Sequence, residues 1–118
     1  MRTAITLASM LIAGTAFAQT KFVEVEDETI RIPALNATVD QLEDMKVYDA
    51  AGMKIGDVED VLGATQEQPV AISIDADDFL GKDGEDVVVT LDQLRVQDGK
   101  LVTDLTKEKI AEMPRWNS

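Results

Sequence analysis

The 118-residue chain contains no cysteine and no histidine, and only 11 lysines and arginines stand against 23 aspartates and glutamates. Without cysteine there are no disulfides, so a fold must be held by its buried core alone. The same absence excludes a lipoprotein, whose lipid is attached to a cysteine at the cleavage site. Without histidine the chain lacks the commonest general base and the commonest metal ligand. The shortage of cations leaves a formal charge of −12. Such a chain repels phosphate backbones, which excludes nucleic acid as a partner, and anionic membrane surfaces are disfavoured for the same reason.

The N-terminus reads as a leader. Arg2 gives a short positive start, Ala4 to Ala13 an apolar stretch, and Ala16-Phe17-Ala18 a small-x-small cleavage site. The apolar stretch is too short to span a bilayer, and the single Arg2 excludes a twin-arginine signal. The expectation is a signal peptide over residues 1–18, cleaved before Gln19, and a periplasmic or secreted product with no membrane span after cleavage. Cleavage removes Arg2 and no acid, which leaves 10 basic against 23 acidic residues, or −13.

Past the leader, Lys21 to Glu26 alternates, with Val23 and Val25 on one face and Phe22, Glu24 and Glu26 on the other, as in a half-buried strand. Thr29 to Ile32 alternates again before Pro33. These segments form either an added hairpin or an extended arm on the rest of the domain. Thr38-x-x-Gln41 has the spacing of a capping box and predicts a helical turn. The stretch that organises the chain is Val47 to Leu62: a strand, a turn at Ala50-Ala51-Gly52, and a second strand carrying Gly56. Gly52 supplies the positive φ that a tight reversal commonly needs. Ile55, Val58 and Val61 recur every third residue, a helical period, yet the glycines and β-branched residues favour a strand whose facing changes parity near Gly56-Asp57.

Gln66 to Pro69 reads as a turn. Val70 to Asp75 alternates cleanly, with Val70, Ile72 and Ile74 expected inward. Asp77 to Asp86 reads as an acidic glycine loop centred on Phe79-Leu80, followed by a strand at Val87 to Leu91. Leu94–Gln97 and Lys100–Thr103 form a hairpin about Asp98-Gly99, which sets Val96 opposite Leu101. Thr106 caps a short final helix, Leu105 staples to Ile110, and Pro114 ends the helix before Trp116.

From about Leu42 to Trp116 the chain resembles the PRC-barrel domain family. The resemblance rests on Val47-Tyr48-Asp49 before a glycine turn, on Ile55-Gly56-x-Val58-x-Asp60-Val61 and on the Phe79-Leu80-Gly81 loop. The Val87-Val88-Val89 strand leading to Leu91-Asp92-Gln93-Leu94, and the helix from Thr106-Lys107-Glu108 to Pro114, complete it. The family includes the cytoplasmic domain of the photosynthetic reaction-centre H subunit and the C-terminal domain of a ribosome maturation factor. The resemblance implies an all-β fold, a small β-barrel with short helical turns and a short C-terminal helix, which docks onto partners without an active site. The leader makes a ribosomal role untenable, and no membrane helix of the H-subunit type is present. Residues 19–35 are then an N-terminal extension or added strands, and 36–118 the barrel domain.

Asp75, Asp77, Asp78, Asp83, Glu85 and Asp86 invite a divalent cation, because hard cations want several carboxylate oxygens. EF-hand spacing fails, since Phe79 and Leu80 occupy the fifth and sixth positions from Asp75; a solvated charged loop is the preferred reading. Phe79 and Leu80 either plug one barrel end or form a charge-rimmed binding spot. Trp116 has the same two readings, with packing preferred. Gly52, Gly56 and Gly99 are structural. Ser73 and Ser118 have no histidine to activate them, and neither glycine cluster has a phosphate-loop lysine with Ser/Thr. The sequence therefore predicts a non-enzymatic, cofactor-free module for protein interaction or self-assembly, with binding of a divalent cation or cationic ligand on the acidic surface as the alternative.

Overall fold

The organising hairpin forms as its turn residues dictate. Strand β4 (Lys46–Asp49) reverses into β5 (Lys54–Thr65), and the two pair antiparallel. The Asp49 carboxylate accepts from the amides of Ala51 (3.0 Å) and Met53 (2.8 Å), and Gly52 holds φ +92°. The computed structural model describes residues 21–81 and 84–117. The leader assigned to residues 1–18 and the acidic Asp83 lie outside the described residues.

The three-residue recurrence in β5 comes from two bulges rather than one change of parity. Val47 pairs with Gly56 and Tyr48 with Lys54, so Ile55 is an extra residue against β4. On the other edge β5 pairs with β6 (Gln68–Asp75), where Val58 faces Ile74 and Asp60 faces Ser73, leaving Glu59 extra. Each bulge resets the two-residue alternation, and Ile55, Val58 and Val61 all reach the core. A side chain at Gly56 would overlap the carbonyl oxygen of Asp75; glycine is required there by the close approach of β6. A further register shift follows Leu62, which pairs with Ala71, while Gly63 pairs with Pro69. Val70 therefore leaves the face of Ile72 and Ile74, where alternation places it, and packs on the opposite side with Leu62 and Ala71.

Beyond β6 come β7 (Asp86–Thr90), β8 (Leu94–Gln97) and β9 (Lys100–Thr103). Asp98 (φ 55°) and Gly99 (φ 76°) make the predicted β8–β9 turn, and Val96 pairs with Leu101. Val96 nonetheless stays 39% exposed. Strand β9 lies parallel to β4, Val47 opposite Leu101, which joins the two hairpins. The C-terminal helix α3 (Lys107–Glu112) starts at Thr106, whose hydroxyl accepts from the Lys109 amide. After Pro114, β10 (Arg115–Trp116) pairs with β7. The sheet order is β10-β7-β6-β5-β4-β9-β8, and among the described residues no pairing joins its two ends.

The N-terminal segments form an arm, not a hairpin. Strand β1 (Val23–Glu24) pairs with Gly63 and Leu62 of β5, and the Val25 amide donates to the Val61 carbonyl at 2.8 Å. Val25 enters the core, but Val23 is 40% exposed, contrary to the shared face read from alternation. Regular pairing covers Val23 and Glu24 alone, with the Val25–Val61 bond beyond it, and the alternation does not carry through to Val25. Strand β2 (Arg31–Ile32) pairs instead with β3 (Ala37–Thr38). The capping box forms on α1 (Val39–Glu43): Thr38 Oγ1 accepts from the Gln41 amide, and Gln41 Oε1 accepts from the Thr38 amide.

The inward residues of these strands, with Leu42 of α1 and Ile110 of α3, make one apolar core. A second, smaller cluster lies on the outer face: Leu62, Ala71 and Val88, covered by Phe22, Val70 and Trp116. The unbroken run Val87-Val88-Val89 is thereby explained, since its first and third residues enter the core and the second enters the outer cluster.

Candidate interaction surface

The acidic stretch after β6 opens on a helical turn where its composition implies a loop. Asp77–Leu80 is a helical turn, α2, closed by Gly81 at φ 77°, whose amide donates to the Asp77 carbonyl at 2.9 Å. Glycine in that position is a common helix stop, and it outweighs the loop-forming bias of the flanking Asp and Gly residues. The turn brings Phe79 and Leu80 partly down onto the core. The Lys107 ammonium of α3 lies 5.8 Å from the centre of the Phe79 ring. Leu80 has a second role: with Ala76, Asp77, Gly84, Glu85, Val87 and Arg115 it lines a groove of about 220 Å³. A neighbouring groove of about 360 Å³ is lined by Lys54, Asp57, Asp75, Asp77 and Asp78, and Asp77 stands on both.

The acidic residues here occupy different environments. Asp75 and Asp78 are exposed, Asp77 is half-buried, and the Asp75 carboxylate accepts from the Asp77 amide at 3.2 Å. Glu85 is exposed. Asp86 begins β7 half-buried, and its carboxyl is pushed up to about 6, by burial first and then by Glu59, Asp75, Asp60 and Asp77. Asp57, across from Asp75 in register, is held below the usual carboxylate range, chiefly by its hydrogen bond to Lys54 and also by Lys46. Trp116 pairs in register with Asp86 and lies half-buried on the outer cluster. Its indole Nε1 is buried with no hydrogen-bond partner among the described residues.

Among the described residues, one group of three carboxylates has its oxygens within 4.8 Å of one another, and it lies elsewhere: Glu28 of the arm with Asp40 and Glu43 of α1. Sequence reading missed it, because the members come from separate segments with no shared motif. Glu43 is pushed up to about 7, by burial first, then by its hydrogen bond with Glu28 and by the charges of Glu28, Asp60 and Asp40.

With the strand order and both hairpins in view, the family model described as PRC-barrel domain matches residues 36–110. The chain belongs to the PRC-barrel domain family. PRC-barrel domains are generally non-catalytic modules, and the matched span holds both hairpins, α1, α2 and most of α3. The arm through β2 precedes it, and β10 with Trp116 follows it. No curated protein matches the chain. Among the described residues, no helix of this PRC-barrel protein is long and apolar enough to cross a membrane.

Proposed function

We propose that this PRC-barrel protein is a non-enzymatic interaction module, working in the periplasm or outside the cell, that presents its α2 end to a protein partner with basic side chains. The observation that supports this reading is the pair of solvent-open grooves meeting at Asp77. One offers the apolar walls of Ala76, Leu80 and Val87, and the other an aspartate-rich rim. An apolar floor with a rim in which Asp57, Asp75, Asp77, Asp78 and Glu85 outnumber Lys54 and Arg115 suits a partner that places an aliphatic or aromatic anchor inside a basic surround. The leader-like sequence of residues 1–18 supports the compartment. The non-catalytic part of the reading is supported by the family, whose domains are generally non-catalytic modules.

The test is site-specific photo-crosslinking in the exporting cell, with the reactive side chain at Asp78 on α2 or, as the control, at Gln97 on the distant hairpin. The expected result is a discrete adduct from position 78 alone, lost when Asp75 is replaced by Asn and Leu80 by Ser. An adduct of twice the subunit mass would identify the partner as a second copy. Equal adducts from both positions, or none from 78, would overturn the assignment of this surface. Intact mass of the exported protein tests the compartment: the expected product starts at Gln19, and a retained Met1 would refute it.

A further inference from the structure

The arm lies on the domain along a seam in which acids face acids. From the arm come Glu24, Glu26 and Glu28; from the domain come Asp40 and Glu43 on α1 and Asp60 on β5. Glu28, Asp40 and Glu43 place carboxylate oxygens within 4.8 Å of one another. Glu24 is hydrogen-bonded to Asp60, and it is raised by burial first, then by Asp60 and Glu26. The three ion pairs among the described residues join Lys46 and Lys54 to Asp57, and Arg95 to Asp104, so none lies in the seam. Opposing this repulsion are Val25 in the core, Phe22 on the outer cluster, the two-residue β1 pairing, the Val25 amide bond to the Val61 carbonyl, the Gln66 side chain, which donates to the Glu24 carbonyl (2.7 Å) and accepts from the Glu26 amide (3.0 Å), and two backbone bonds from α1. In those bonds the Asp40 and Val39 amides donate to the carbonyls of Glu28 (3.1 Å) and Ile30 (2.9 Å).

We propose that docking of the arm is linked to proton binding: a proton shared between Glu43 and Glu28 latches the arm to α1, and its loss leaves adjacent carboxylates that loosen it. The groups that face Glu43 are Glu28 from the arm, Asp40 from its own helix and Asp60 from β5, all acidic. Nothing cationic in that set replaces the proton once it leaves. Two carboxyls in contact share one proton readily and resist losing it, because the second charge must form beside the first. The sign follows from linkage. The docked state binds the proton more tightly than the free arm does, so docking is favoured at mildly acidic pH and weakens as pH rises through about 7. Release would uncover the Val61–Gly63 edge of β5 and the Leu62, Ala71 and Val88 patch under Phe22, a strand edge and an apolar surface together.

The absence of cysteine makes the test direct, since Val23→Cys gives a unique attachment point on β1. A nitroxide there is followed by electron paramagnetic resonance from about pH 5.5 to 8.5, at fixed ionic strength with a chelator present. The expected result is an immobilised label at the acidic end and a several-fold rise in the mobile fraction with a midpoint near 7. In Glu43→Gln, which mimics the protonated acid, the label should stay immobilised to pH 8.5. Far-ultraviolet circular dichroism on the same samples reports the sheet. A label equally immobile across the range overturns the proposal. So does a pH response unchanged by Glu43→Gln, or a mobile label that appears only as the sheet itself melts.

Discussion

One edge of β5 is covered by two strands, and the two coverings are built on opposite electrostatics. Over the first half, β4 pairs through three residues, and Asp57 of β5 draws in Lys46 (3.4 Å) and Lys54 (3.2 Å). Over the second half, β1 pairs through two residues, and the carboxylates of Glu24 and Asp60 meet across the junction. The first covering is a hairpin tied by its own turn. The second comes from outside the family-matched span and is held by Val25 and Phe22, by its short pairing with β5 and by the Gln66 side chain. The difference shows how one strand can carry a constitutive partner and a conditional one. Short-range connection and charge attraction fix the first, while burial without charge compensation leaves the second dependent on solution conditions.

The largest expected effect bears on what the two halves share. Ile72 of β6 is fully buried in the core behind β5. Ile72→Ala should cost about 2–5 kcal/mol by emptying a packed site, at every pH and salt concentration. Thermal melts check this, and a cost that varied strongly with salt would mean that the halves are not resting on a common apolar core. Next comes Gly56→Ala, which selectively attacks the β4 half. Its new methyl would overlap the Asp75 carbonyl, and strain of this kind costs typically 1–3 kcal/mol. In the labelled Val23→Cys protein it should lower the melting temperature without mobilising the arm below pH 6. Mobilisation there would show that the coverings are coupled rather than independent.

What could be read from the sequence divides along the same line. The β4–β5 and β8–β9 turns, the Thr38/Gln41 capping box and the Thr106 cap are set by residues within four positions of one another. Their chemistry is therefore visible in the string. The parallel β4–β9 pairing, the attachment of β1 to β5 and the short β10 depend on which distant edges remain unpaired after collapse. The bulges at Ile55 and Glu59 were legible as one broken period but not as two, because each is defined against a different neighbouring strand. At the candidate surface, Phe79 and Leu80 stand out in the string by their apolar character inside an acidic run. The seam was not, since Glu28, Asp40, Glu43 and Asp60 become neighbours only when arm, helix and strand meet.

A smaller effect separates the halves by pH. Glu43 is raised from an ordinary 4.5 to about 7, so the folded protein holds its proton more tightly than the unfolded chain. Its contribution is complete below about 4.5 and is lost as pH rises through about 7. Glu43→Gln should therefore raise the melting temperature by a few degrees at pH 8 and leave it close to the parent at pH 5. Equal shifts at both values would mean that the side chain acts by packing and not by charge.

The smallest expected effect has the opposite sign. The Asp57 carboxyl is depressed, chiefly by its hydrogen bond to Lys54, so its contribution is present above 3.8 and is lost as pH falls through the lower folded value. The three side chains remain 44–54% exposed, and pairs so placed contribute roughly 0–1 kcal/mol. Asp57→Asn should destabilise by a few tenths of a kcal/mol in dilute buffer at pH 7, and the loss should vanish in 1 M sodium chloride, where the Debye length falls to about 3 Å. Under the same screening the gain from Glu43→Gln should also shrink, so salt drives the two substitutions toward zero from opposite sides. If Asp57→Asn instead stabilised the protein at low salt, relief of the overall negative charge would outweigh the local pairs. The β4 half would then owe its permanence to the hairpin connection alone.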